Sequence, residues 1–266
     1  MIQYKGKLAL VTGASSGIGK EFAYRLAEKG SNVILVARST DRLITLADEL
    51  EKQYGITAYP FPADLSDPAS INDLYEKIQK ENLSVDILVN NAGFGLYGSF
   101  KENSADEYQK MVDLNINSLI RLTSLFLPEM QEKKSGIIIN LASLLGFAPF
   151  PYMSVYSATK AFVLSFTESL WAENQKTGVQ ILALAPGATK TDFYDVAGSS
   201  AMPGGINRTA ADVVTTAFKA LDKKKMTVVD GGNNKFIAKL PRLLSQKTVV
   251  SLFEKVVRAA NEKKQK

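Results

Sequence analysis

Leu8-Ala9-Leu10-Val11-Thr12-Gly13-Ala14-Ser15-Ser16-Gly17-Ile18-Gly19 is the stretch on which the fold turns. Leu8–Val11 is a short apolar run that reads as a strand, and the amphipathic run Gly17–Lys29 reads as a helix. Between them three glycines stand at G-x3-G-x-G spacing. Gly13 permits a tight turn, Gly17 lets the backbone approach a pyrophosphate, and Gly19 allows the helix to lie close to the strand. The helix N-terminus adds free N–H groups and the positive end of its dipole. A ligand-free glycine turn is the plainer reading, and the spacing departs from the commoner G-x-G-x-x-G. Strand and helix at the proper distance on either side favour a dinucleotide site, with Gly13, Ser15, Ser16, Gly17, Ile18 and Gly19 around the phosphates.

Outward from that turn the same pattern repeats. Short apolar runs at Asn32–Ala37, Thr57–Phe61, Ile87–Val89, Gly136–Leu141, Val179–Ala185 and Thr227–Val229 read as strands. Helical patterns run over Gly17–Lys29, Asp41–Gln53, Pro68–Lys80, Ala105–Met130 and, roughly, Tyr152–Gln175. Apolar strands alternating with helices predict an α/β fold, a Rossmann-like doubly wound parallel sheet covered on both faces. No repeat, low-complexity tract or linker divides the chain, so residues 1–266 are expected to form a single domain. A helical C-terminal extension is expected over 235–266.

The tip of the second strand decides which dinucleotide is expected. A carboxylate there would bind ribose hydroxyls and favour NAD, whereas arginine accommodates a 2′-phosphate. The strand ends Leu35-Val36-Ala37-Arg38-Ser39, with no carboxylate, so Arg38 can fork onto phosphate and NADP is expected. A solvated strand-end arginine is the alternative.

Composition removes much of the remaining chemistry. The 266 residues include no His and no Cys. Cysteine proteases, Ser-His-Asp hydrolases, Cys/His zinc sites and disulfide scaffolds are therefore excluded, and no metal site is expected. Proton transfer is left to Tyr, Lys, Asp, Glu or water. The net charge of +5 comes from residues 242–266, with seven basic and two acidic groups; residues 1–241 carry 25 of each. No nucleic-acid partner is expected for a body balanced at zero. The N-terminus lacks the apolar core of a signal peptide, and a cytoplasmic location is expected. The uncharged run from Ser135 to Thr159 could suggest a membrane span, but Asn140, Gly146, Pro149 and Pro151 would break it in lipid. It reads instead as a buried strand, a loop and a helix start.

Free tyrosine, with a pKa of about 10, needs a nearby cation to exchange protons near neutrality. Only Tyr97 and Tyr156 have a lysine four residues later. Tyr97 follows Gly93 and Gly95 in a stretch that reads as loop. Tyr156 opens a helix with Lys160 on the same face.

In these residues the chain resembles the short-chain dehydrogenase/reductase family, in its short single-domain type. The resemblance rests on Thr12–Gly19, on Asn90-Asn91-Ala92-Gly93, and on Asn115, Ser143, Tyr156 and Lys160. Pro186-Gly187 with Thr191 completes it, and it spans residues 5 to about 230 in order. It implies an enzyme that interconverts a carbonyl and an alcohol. Tyr156 would pass a proton to the carbonyl oxygen. Lys160 would lower the Tyr156 pKa and bind the nicotinamide ribose. Ser143 would hydrogen-bond the substrate oxygen, and Asn115 would hold a water linking Lys160 to solvent. Asp64 and Leu65 would lie near adenine, Asn91 near the adenosine ribose, Ala92 and Gly93 also against the cofactor, and Pro186, Gly187 and Thr191 at the nicotinamide end. Each also has a plainer reading: Asn115 as a helix-kink residue, Ser143 as a strand-end turn, Thr191 as an N-cap.

Phe94, Leu145, Phe147, Phe150, Pro151, Tyr152 and Met153 surround the expected catalytic positions and suggest an apolar carbonyl substrate. Asp192–Arg208, with Gly198, Gly204 and Gly205, has the composition of a mobile lid. Val249, Val250, Leu252, Phe253, Val256, Val257 and Ala260 recur at helical spacing, predicting one apolar face buried beside that lid or at a subunit contact. The closing Lys263-Lys264-Gln265-Lys266 should stay solvated. A homodimer or homotetramer and a small-molecule substrate are the expected partners, without membrane contact. Two other functions stay open: a catalytically idle NADP-binding regulator, and a membrane-surface or partner-binding protein acting through the basic C-terminus.

Overall fold

The computed structural model describes residues 2–193 and 208–262. Its strands are β1 (Leu8–Thr12), β2 (Asn32–Ala37), β3 (Ala58–Pro62), β4 (Ile87–Asn90), β5 (Gly136–Leu141), β6 (Val179–Ala185), β7 (Thr189–Lys190), β8 (Arg208–Thr209) and β9 (Thr227–Val229). Among the described residues seven of these form one parallel sheet in the order β3-β2-β1-β4-β5-β6-β9, and β7 pairs with β8 apart from it. The α/β doubly wound architecture is the one the sequence predicts.

Alternation within the strands explains the two covered faces. Ala9, Val11, Val33 and Leu35 point to one side, with Phe22 and Leu26 of α1 (Gly17–Glu28), Leu43 and Leu50 of α2 (Thr40–Tyr54), and Val213 and Val214 of α7 (Ala210–Asp222). Leu8, Leu10, Ile34 and Val36 point to the other. There they meet Ile71 and Ile78 of α3 (Pro68–Lys80), Phe126 and Met130 of α5 (Ser118–Glu132), and Leu170 of α6 (Ser154–Glu173). Each fully buried side chain of this kind contributes roughly 1.5–3 kcal/mol of transfer free energy.

Local chemistry sets the element ends. Asp67 Oδ1 accepts from Ala69 N ahead of Pro68, starting α3. Gly55, at φ 65°, ends α2 in the left-handed conformation. Ser104 and Glu107 cap α4 (Ala105–Val112) reciprocally. At the outer edge, Ala63 N donates to Ala37 O. By alternation the odd-numbered amides of β3 then face β2, and Pro60 and Pro62 occupy the outward positions.

The continuous helix expected over Ala105–Met130 is interrupted. A π-helical turn, Asp113–Asn117, separates α4 from α5. The expected helix start at Tyr152 shifts to Ser154, because Tyr152 sits at φ 64°, outside helical space.

After β9 come α8 (Gly232–Ile237), a 3-10 turn Leu240–Arg242, and α9 (Gln246–Glu262). The apolar face expected on α9 is split. Val249 and Val257 are buried, and Phe253 is half-buried with its ring 5.4 Å from that of Phe150. Leu252 and Val256 are exposed. The side chain of Ala260, the tail 263–266 and the glycines of the expected lid lie outside the described residues.

Candidate active site

β1 hydrogen-bonds to β2 on one side and β4 on the other, so the chain's course diverges at the carboxyl ends of these strands. A crevice opens at such a switch point. Here it is a cavity of about 590 Å³ running from Arg38 and Asp64 to Ser143, Tyr156 and Lys160. Every residue expected at the cofactor or catalytic site lines it except Gly19 and Asn115.

Gly19 serves the turn from behind. A β-carbon there would stand 2.3 Å from Gly13 O and 2.5 Å from Asn91 Nδ2. Gly13 lies at φ 65°, and a β-carbon on it would meet the same Asn91 amide at 2.7 Å. Asn91 Nδ2 donates to Thr12 O at 2.8 Å, so its side chain clamps the glycine turn from the end of β4. Thr12 completes the clamp: its Oγ1 accepts from Asn91 N and Ala92 N, both at 2.9 Å, and donates to Val89 O. Ser16, the N-cap residue of α1, makes no side-chain capping bond. The first-turn amides of α1 are thus offered to the cavity, as a phosphate requires. Backbone at Gly13 and Gly17 too close for side chains, uncapped amides and Arg38 at the strand tip together fit a phosphorylated dinucleotide.

At the Arg38 end, Asp64 lies with Leu65, Ser66 and Lys110. Its carboxyl is held below the ordinary carboxylate range chiefly because Ser66 Oγ donates to it at 2.7 Å, with weaker help from the Arg38 and Lys110 charges. Lys110, on α4, gives no signal in the sequence, since a helix-surface lysine looks the same wherever its helix points.

At the other end, Tyr156 and Lys160 lie on α6, 7% and 5% exposed. Lys160 Nζ donates to Leu141 O at 2.6 Å and stands 5.8 Å from the Tyr156 ring centre. Burial pulls its pKa from 10.5 to about 8. Ser143 caps the short 3-10 turn Leu144–Phe147, its Oγ accepting from Leu145 N at 3.1 Å. The strand-end reading of Ser143 and its position in the cavity therefore both hold.

Asn115 belongs to the π turn, where the extra residue turns its side chain inward. Its carboxamide grips Phe94 at both ends, accepting from Phe94 N at 3.1 Å and donating to Phe94 O at 2.9 Å. Its remaining N–H donates to Thr159 Oγ1 at 3.1 Å, and Thr159 donates to Tyr156 O at 2.7 Å. A β-carbon on Gly93 would come within 2.8 Å of Asn115 Oδ1 and 3.6 Å of Lys160 Nζ, so glycine keeps these two groups in view of each other.

Phe94, Leu145 and Met153 line the cavity together with Leu144 and Phe193. Phe150 and Tyr152 stand one layer back, in the cluster that holds Tyr156 and Val257. Phe147 packs elsewhere, against the cluster that holds Leu119 and Val163.

The sequence profile of the short chain dehydrogenase family matches residues 7–200. Human 17-beta-hydroxysteroid dehydrogenase type 3 is 37% identical over 190 residues, 70% of this chain and 60% of that longer protein. A solved short-chain dehydrogenase from Sphingobium yanoikuyae in complex with NADPH superposes with a TM-score of 0.79 at 33% identity, covering 84% of this chain and 87% of that one. A Burkholderia phymatum short chain dehydrogenase/reductase in complex with NAD gives 0.82 at 26% identity, over 91% and 95% of the two chains. On this match, and on a fold and glycine turn that agree with it, the chain belongs to the short-chain dehydrogenase/reductase family of oxidoreductases.

Proposed function

We propose that the protein is an NADP-dependent oxidoreductase interconverting a carbonyl and an alcohol on an apolar small molecule. The observation that carries this reading is one cavity with an uncapped glycine turn and Arg38 at one end and the Tyr156–Lys160 pair at the other. Gly13 to Gly17 and the α1 amides would hold the pyrophosphate, Arg38 the 2′-phosphate, and Lys160 the nicotinamide ribose. A bound nicotinamide supplies or accepts the hydride.

Tyr156 gives its phenolic proton to the substrate oxygen during reduction and takes it back during oxidation. The Lys160 ammonium favours the phenolate through space. Because Ser143 Oγ accepts from Leu145 N, its hydroxyl hydrogen is left to donate to the substrate oxygen. Phe94, Leu145, Met153 and Phe193 exclude water around the reacting carbon. These apolar walls support a bulky hydrophobic ketone or its alcohol, and the relative named for hydroxysteroid oxidation agrees with that class. A homodimer or homotetramer remains the proposed assembly, readable by light scattering.

The test is a panel of aliphatic, aromatic and sterol ketones followed by NADPH absorbance. Tyr156→Phe should retain cofactor binding and lose about 10²- to 10⁴-fold in kcat, the usual worth of a general acid. A variant as fast as the parent on the best substrate would remove Tyr156 from the chemistry. NADPH binding without turnover of any ketone or alcohol would leave the regulator reading in its place.

A further inference from the structure

The segment after β9 combines a cationic surface with exposed apolar side chains. Residues 232–259 hold six cations and one carboxylate, Glu254, which pairs with Arg258 at 2.6 Å. Lys235, Lys239, Arg242, Lys247 and Lys255 are all exposed. Of the eight large apolar side chains exposed among the described residues, five lie here: Phe236 at 65%, Leu243 at 75%, and Leu244, Leu252 and Val256 just above 40%. On α9 the inward row is Val249, Phe253 and Val257, spaced by four; Leu252 and Val256 form the adjoining row, turned outward, with Lys255 beside them.

We propose that this segment docks on an anionic phospholipid surface. Leu243, Leu252 and Val256 enter the headgroup layer, and the surrounding lysines and Arg242 pair with lipid phosphates. Exposed leucines gain no burial on a polar polyanion such as nucleic acid. A second copy presenting the same cationic face would repel the first. An anionic bilayer satisfies both the charge and the apolar surface at once. The inward row of the same helix reaches the cluster that contains Tyr156. Docking would therefore bring the apolar end of the cavity to the membrane, where hydrophobic molecules concentrate. The proposal goes beyond the catalytic reading and is tested without substrate.

The full chain would be co-sedimented with vesicles of phosphatidylcholine alone and of phosphatidylcholine mixed equally with phosphatidylglycerol. The expected partition is about tenfold or more in favour of the anionic vesicles, weakening as salt is raised. Leu252→Glu with Val256→Glu should abolish that preference while melting temperature and NADPH titration stay at parent values. Lys239→Glu with Lys247→Glu, both exposed, should weaken it in the same way and guards against misfolding of the first variant. Equal partition of the parent into both vesicles, or variants that sediment like the parent, would overturn the proposal. So would a parent that ignores lipid but falls in mass on light scattering when Leu252 and Val256 are replaced, since the face would then be covered by another copy.

Discussion

Lys160 holds its place at a measurable expense. Burial draws its pKa down to about 8, while in the unfolded chain it stays near 10.5. Between those values the unfolded state binds a proton that the folded state has released, so for this group stability of the cofactor-free protein rises with pH there. Below pH 8 both states are charged and the buried ammonium is a full penalty, on the order of 3 kcal/mol at most. Lys160→Met should therefore melt higher than the parent near neutrality, with the gap closing from about pH 8 upward; parallel melting curves would show that the ammonium is not strained. Thr159 is a positioning residue between Asn115 and Tyr156. Thr159→Val leaves an Asn115 N–H unpaired, about 1–3 kcal/mol. We expect a lower kcat with KM little changed, and recovery in Thr159→Ser. For cofactor choice, loss of a charged contact to the 2′-phosphate is worth about 1.5–3 kcal/mol. Arg38→Ala with Ala37→Asp should shift preference from NADPH towards NADH in fluorescence titration, whereas equal affinities in the parent would refute the role of Arg38. Tyr156 and Lys160 are legible in sequence because their partnership is local, four residues on one helix. The bonds made by Thr12 and Thr159 are not, because their partners lie 79 and 44 residues away and a threonine in a strand or helix looks like ordinary packing.

Elements were readable where the hydrophobic period was unbroken. The seven strands of the main sheet and α1 to α3 fall within a few residues of expectation, because alternating burial leaves few other solutions, whereas the two-residue β7 and β8 were not expected. The π turn at Asp113–Asn117 was not readable: it inserts one residue into a pattern that otherwise continues, and its reason, the Phe94 backbone, lies 21 residues upstream. The C-terminal helix shows the opposite limit. Its apolar positions were legible, but periodicity cannot say which of two adjoining apolar rows meets the body. Phe253 on Phe150 and the buried Val257 make that contact. Deleting 247–266 should lower the calorimetric melting temperature, and Phe253→Ala alone should remove about 1–2 kcal/mol, less than a fully buried phenylalanine would. An unchanged melting temperature in the truncated protein would make α9 dispensable to the fold.

At the scale of the whole molecule, parallel strands with covered faces force the polar business of the protein to one end of the sheet, which is why fold and site emerge from the same stretch of sequence. Three-dimensional neighbours follow from that order: Arg38 and Tyr156 share a cavity although 118 positions separate them. What the order leaves unsettled is how such a sheet stops. At β3 it stops with Pro60 and Pro62, whose rings stand where free amides would otherwise invite another strand. Copies of this chain therefore cannot stack into a continuous ribbon along that border. A partly opened molecule, crowded during synthesis, lacks on this side the template from which fibrous aggregates grow.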